Sequence, residues 1–328
     1  MPKGLLRVTG TLDPSQFWPN GNSDADTINV QVGANSFEFS RDSTPAHFTV
    51  TKVFQDASVR GKGPKPKPAI HNGKVTVRLQ GVDAPELHFP PLLQGKGLQG
   101  NNHQYRQFFG ETASIDLAKF LRTFGAQTIQ CEVVTRVDKP NDVFDTYGRL
   151  VGDILIGAGR KDVNLWLARN GWAFPTYYNS MMSDEIRAIR KAVNAAKKAN
   201  KGIWAHFSLN TAEANLAMMI RKGSPNPQAD VGPVQLPKLY RRKIRQLVGR
   251  LNGMFPATFD GYLKTLSDPW VNVTQFLKDP QIKATAQQRT LAPLVDSDGL
   301  FAKQPGVLVF FEAPSKLRYS NGKPVTGW

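Results

Sequence analysis

Cysteine is nearly missing from this chain: Cys131 stands alone among 328 residues, which excludes a disulfide framework and a thiolate metal centre. It falls in the apolar-alternating run Thr128 to Val134, so it is expected to be a core thiol. Histidine is scarce as well. The five histidines show no ligand spacing, and nothing points to zinc. Long apolar runs are lacking, so no spanning segment is expected. The opening Met-Pro-Lys-Gly-Leu-Leu-Arg-Val carries charge but no apolar stretch of signal-peptide length. The chain is therefore expected to be soluble and cytoplasmic, or secreted if a leader was removed before this numbering begins. Acid is in deficit, with 26 Asp and Glu against 42 Lys and Arg, a formal net charge of +16 and a pI of about 9.9. Such a surface attracts polyanions and gains from counterion release. Nucleic acid fits that balance, and so do simple solubility or an acidic protein partner.

What is present reads first as short strands. Leu5 to Leu12, Thr27 to Val32, Val75 to Val82 and Leu150 to Ile156 are strand-like. An apolar-periodic run through Phe108, Ile115, Leu117, Phe120 and Leu121 predicts a helix stopped by Gly125. Asp162 to Ala168 reads as a short capped helix closed by Gly171, and Ser183 opens another with Asp184 and Glu185 in its first turn and Lys197, Lys198 and Lys201 at its end. Residues 34–72 read as an insertion. They hold a candidate hairpin, Ser36 to Phe39 with Phe48 to Phe54, and the extended run Arg60-Gly-Lys-Gly-Pro-Lys-Pro-Lys-Pro68.

Residues 1–208 are taken as one domain, 209–237 as a Gly/Ser/Asn/Pro-rich linker, and 238–328 as a smaller mixed helix and strand domain. A fragment ending near Leu209 is thus expected to fold. The last part opens on a basic amphipathic helix from Lys238 to Leu251, with Leu239, Ile244, Leu247 and Leu251 apolar. Its Arg241, Arg242, Lys243, Arg245 and Arg250 are expected to neutralise phosphates. A strand is expected over Val307 to Phe311.

Two stretches carry chemistry: Arg78-Leu-Gln-Gly-Val-Asp83-Ala-Pro-Glu86 and Asp145-Thr-Tyr-Gly-Arg149. Asp26 and Asp83 offer hard oxygen donors suited to Ca²⁺ or Mg²⁺. Glu86, three residues beyond Asp83, could serve as a general base toward water. Arg78 and Arg149 supply planar forks that match phosphate. Taken singly, Asp-x-x-Glu is more often a solvated loop, and Tyr-Gly-Arg more often a turn followed by a surface arginine.

The order of motifs is more informative. Ser23-Asp-Ala-Asp26-Thr27, Val77-Arg78 through Asp83-Ala-Pro-Glu86, Phe109-Gly-Glu-Thr-Ala113, Asp145-Thr-Tyr-Gly-Arg149, Asp162-Val-Asn164 with Gly171-Trp-Ala173, and Lys201-Gly-Ile-Trp204 follow one another. From about residue 10 to 208 this series resembles the staphylococcal nuclease family. The resemblance implies an α+β fold, a five-stranded OB-type barrel with packed helices. It implies Ca²⁺ held by Asp26, Asp83 and the carbonyl of Ala84, with Arg78, Glu86 and Arg149 catalytic and Tyr147 and Tyr177 lining the nucleotide pocket. A Ca²⁺-dependent nuclease acting on DNA or RNA, leaving 3′-phosphate ends, is the activity it implies. Ala25 stands where the family usually has glycine. A catalytically weak nucleic-acid-binding or scaffold protein is the rival reading, and the acid set argues against it because carboxylates repel phosphate. A membrane-surface role for the basic helix lacks a Trp/Phe-rich apolar face.

Overall fold

The computed structural model describes residues 3–21, 23–33, 37–41, 44–48, 53–54, 66–67, 70–87, 89, 92–93, 97–98, 106–138, 140–145, 147–207, 234–294 and 306–311. They pack as two compact units that interleave along the chain. The first takes its described residues from 3–80 and 115–166, the second from 81–114 and 167–311.

The first unit is a closed mixed barrel of five strands, β1 (Gly4–Leu12), β2 (Thr27–Gln31), β3 (Lys74–Leu79), β4 (Ile129–Val137) and β5 (Leu150–Ile156). Going round, β4 pairs with β5, β5 with β3, β3 with β2, β2 with β1, and β1 returns to β4. The β3–β5 pair is parallel and the rest are antiparallel. Period-two patterning dictates which side of each strand goes in. Ile28 and Val30, Val75, Val77 and Leu79, Ile129 and Val133, and Leu150, Ile154 and Ile156 are all buried. Cys131 joins them, and burial pushes its thiol up to about 12, so it stays protonated and inert.

Buried Asn164 stitches the parallel pair. Its amide donates to the carbonyls of Gln80 at 2.9 Å and Gly152 at 3.2 Å and to Asp153 Oδ1 at 2.6 Å, while its Oδ1 accepts from Ile154 N at 3.3 Å. Part of the expected insertion extends this sheet: Phe37–Arg41 pairs with β1 and with Thr44–Phe48. The hairpin is therefore tighter than expected, with its second strand ending at Phe48 rather than beginning there. Val53–Phe54 pairs separately with Pro66–Lys67. Most of the Arg60 to Pro68 run lies outside the described residues.

Helix α1 (Gly110–Arg122) matches the periodic run, and α2 (Val163–Asn170) starts one residue after its cap, where Asp162 Oδ1 accepts from Leu165 N at 2.9 Å. In the second unit α3 (Ser183–Lys198) has the expected acidic start and basic end. The unit then draws on residues well beyond 207. Tyr177–Tyr178 pairs in parallel with Leu308–Phe310, which pairs antiparallel with Trp270–Asn272. Helix α4 (Pro237–Leu251) buries Leu239, Tyr240, Ile244 and Val248. Tyr240 Oη donates to the Arg106 carbonyl at 3.3 Å, and Gln107 Nε2 to the Gln235 carbonyl at 3.0 Å. Residues on both sides of the expected 209–237 linker thus share one packed unit. Residues 208–233 lie outside the described residues.

The α4 charges point inward to a degree that composition did not suggest. Arg242 and Lys238 both pair with buried Asp268, at 2.8 and 3.3 Å. Lys243 is buried beside the Phe259 ring, 5.7 Å from its centroid, and burial drops its pKa to about 8. Arg245 lies 5.6 Å from the Phe89 ring centroid. Arg250 is exposed, as is Leu251. Expecting all five cations to meet phosphate is therefore corrected: most of them serve the interior.

Two outcomes follow for stability. With its native pKa near 8 and an unfolded value near 10.5, Lys243 costs stability below pH 8, and the chain regains it as pH rises from about 8 to about 10.5. Lys243→Met should raise the melting temperature at pH 7, by up to about 3 kcal/mol of stability, with the gain shrinking toward pH 10 in calorimetry. A chain ending at Phe207 loses the partner strand of Tyr177–Tyr178 and the buried face of α4, and should show no cooperative melting of the second unit by circular dichroism.

Candidate functional site

Within the first unit the predicted residues Asp26, Arg78, Arg149 and Tyr147 form one network. Strand pairing sets Thr27 opposite Arg78, and the Leu79 amide donates to the Asp26 carbonyl at 2.9 Å. That register brings the Arg78 Nη1 onto the buried carboxylate of Asp26, and also to its carbonyl at 3.3 Å. Thr27 Oγ1 donates to Asp26 Oδ1 at 3.3 Å and lies 3.5 Å from Arg149 Nη1. A single hydroxyl therefore touches the carboxylate that holds Arg78 and the guanidinium of Arg149.

Arg149 is aimed by its own turn. Gly148 sits at a φ of +75°, a left-handed conformation that glycine adopts without strain, and its amide donates to the Asp145 carbonyl at 2.9 Å. Asp145 Oδ1 accepts from the amides of Tyr147 and Arg149, both at 2.9 Å. Its Oδ2 takes Nε and Nη2 of Arg149, both at 2.7 Å. The Arg149 guanidinium also lies 5.1 Å from the Tyr147 ring centroid, and that ring is 39% exposed. The role of Asp145 was missed from sequence, although an aspartate four residues before an arginine, across Tyr-Gly, is the signal for such a latch.

The second unit holds Asp83, Ala84, Glu86 and Tyr177. Gly81, at a φ of +75°, turns the chain after β3 into the short strand Val82–Asp83, which pairs with Phe174–Pro175. Asp83 and Ala84 are buried and Glu86 nearly so. Both carboxylates share one cation that sequence reading had assigned elsewhere. Arg241 of α4 reaches Asp83 Oδ1 from Nη1 at 3.3 Å and Oδ2 from Nη2 at 3.1 Å, and its Nη1 also pairs with Glu86 Oε1. Burial alone would lower the Arg241 pKa, but Asp83 and Glu86 raise it well above its ordinary value, so it is a permanent cation.

Gln107 holds the acid loop from the other side. Its Oε1 accepts from the Glu86 backbone amide at 3.1 Å, and its backbone amide donates to the Glu86 carbonyl at 2.8 Å. Helical phase could have flagged Arg241, which shares the i, i+3, i+7 stripe with buried Ile244 and Val248. Tyr177 is fully buried in this unit and its pKa is raised by burial, with Arg190 acting in the opposite sense. Its ring offers no open face for stacking, whereas its neighbour Tyr178 is half-buried.

Residues 76–206 match the family described as staphylococcal nuclease homologue. That stretch is a staphylococcal-nuclease-like domain. It includes Arg78, Asp83, Glu86 and Arg149, but begins after Asp26 and ends before Arg241. The chain is also similar to Endonuclease YhcR of Bacillus subtilis (strain 168), with 34% identity over 134 residues. The aligned part is 40% of this chain and 10% of that protein, so the chain spans only a small fraction of this relative's length.

With Asp145 fixing Arg149, Asp145→Ala should release the guanidinium. Binding of a single-stranded oligonucleotide, read by fluorescence anisotropy, should weaken by roughly tenfold, in line with losing one charge-assisted contact.

Proposed function

We propose that the chain is a nuclease that hydrolyses phosphodiester bonds of DNA or RNA through attack of water. The observation that carries this is the pair of arginines in the first unit, Arg78 and Arg149, each oriented by a carboxylate and linked through Thr27. Preorganised forks of this kind match the oxygens of a phosphate and stabilise the charge that gathers on them as water adds. Glu86 is the group we assign to take the proton from water, with Gln107 positioning its backbone. Tyr147, exposed beside Arg149, suits stacking on a base. Tyr177 is better assigned to packing.

Ca²⁺ is the cation we assign, with Asp83 as a carboxylate ligand and the Ala84 carbonyl as a second oxygen donor. Among the described residues no cluster of three or more His, Cys, Asp or Glu could hold a metal ion, so such a site would rely on fewer charged groups and on oxygen alone. The donors fit a hard cation: the Asp83 and Glu86 carboxylates are buried together, where such a pair needs a positive charge close by. When bound, the ion would add charge neutralisation at the phosphate. Cleavage that leaves 3′-phosphate ends completes the proposal. Membrane association is not part of it, and among the described residues no helix is long and apolar enough to cross a membrane.

A second reading has one observation in its favour. Arg241 sits on Glu86, and a base covered by a guanidinium suits a weakly catalytic nucleic-acid-binding protein. Activity on single-stranded DNA and RNA with Ca²⁺, Mg²⁺ or EDTA separates the two. The nuclease should cleave with Ca²⁺ and lose activity in EDTA, and end-group analysis should find 3′-phosphates. Glu86→Gln should cut kcat by about a hundredfold or more while substrate affinity holds or improves. Arg78→Lys and Arg149→Lys should not retain parent turnover, since an ammonium cannot reproduce the fork. Absence of cleavage with intact oligonucleotide binding would favour the second reading.

A further inference from the structure

We infer that Arg241 is the resident counter-cation of the Asp83 and Glu86 pair and competes with a divalent cation for it, so that a residue beyond the nuclease-like stretch sets this chain's metal affinity. The inference rests on Asp83 being a cation ligand, as proposed above. Two carboxylates with side chains 1% and 11% exposed cannot depend on water for their neutralisation, and a positive charge has to be close by. Arg241 supplies it to both acids at once. A divalent ion arriving at Asp83 then meets a like charge in contact with the same oxygens, and the guanidinium must yield.

The surroundings decide what can yield. Helix α4 is fixed by its buried Leu239, Tyr240 and Ile244 and by the Tyr240 bond to the Arg106 carbonyl. Gln107 ties the acid loop, through Glu86, to the Gln235 carbonyl just ahead of α4. Backbone on both sides is therefore anchored. The Arg241 side chain is 28% exposed and long enough to swing toward solvent. Its neighbours are occupied differently: Arg242 is paired with Asp268, and Lys243 and Arg245 lie beside Phe259 and Phe89.

Calorimetric titration of the full chain with Ca²⁺ tests this, alongside thermal melting in Ca²⁺ and in EGTA. Arg241→Gln should bind Ca²⁺ at least about tenfold more tightly than the parent, while Arg241→Lys, which keeps the charge, should stay within about threefold of it. The gain should vanish in an Asp83→Asn background. In EGTA the glutamine variant should melt below the parent, and Ca²⁺ should raise its melting temperature by more than it raises the parent's. If that variant folds only when Ca²⁺ is added, the competition is supported; if it stays unfolded in Ca²⁺, the cation does not replace Arg241 and the inference fails. Equal or weaker Ca²⁺ affinity in a folded Arg241→Gln also overturns it, and leaves the nuclease assignment standing. Ca²⁺ binding by neither protein overturns both the inference and the Ca²⁺ assignment, while cleavage by the parent still judges the nuclease reading.

Discussion

A carboxylate leaves water only in company, and among the described residues the companion is repeatedly arginine. Asp26 has Arg78, Asp145 has Arg149, Asp83 and Glu86 have Arg241, and Asp268 has Arg242 with Lys238. Removing one partner of a buried pair strands the other at a cost of roughly 3–5 kcal/mol, whereas the intact pair adds little net stability. Position rather than strength is what such pairing provides. Each carboxylate fixes the direction of a guanidinium, and direction is what phosphate recognition needs. These pairs match five acids with five cations, so they leave the net charge of +16 untouched and withdraw only those five basic side chains from a polyanion.

Much of the barrel was legible in the sequence because a half-buried strand has to alternate. Val75, Val77 and Leu79 or Leu150, Ile154 and Ile156 announce their inward face without any help from the rest of the chain. The helices over Gly110–Arg122, Val163–Asn170 and Ser183–Lys198 were equally readable from caps and periodicity. The parallel pairing of β3 with β5 and the role of Asn164 in bridging it depend on residues more than 70 apart, and no local pattern encodes them. The short strand Trp270–Asn272 and its pairing were hidden for the same reason: three residues are too few to show a period.

The candidate site divides along the same line. Arg78, Asp83, Glu86 and Arg149 could be named because they lie in compact motifs, and the fold sets two of them, Asp83 and Glu86, around one cation. Asp145 escaped notice since its work is done by a local latch. Arg241 was read as one of five solvent-facing charges, because a run of basic residues looks uniform until helical phase is combined with a packing partner. Tyr177 shows the opposite error, an aromatic suited to stacking that the core of its unit absorbs.

The distance along the chain between the acid loop and Arg241 also bears on how the protein is made. Asp83 and Arg241 are separated by 158 residues, which a ribosome takes on the order of 10 s to add. Throughout that interval Asp83 and Glu86 exist without their counter-cation, so the loop cannot settle into its buried form when its own strand neighbours are first synthesised. The barrel strands, by contrast, are all complete once Ile156 has emerged. Newborn chain thus gains its Asp26–Arg78 and Asp145–Arg149 pairs early and the cluster of Asp83, Glu86 and Arg241 late, an order of assembly written into the gap between two residues.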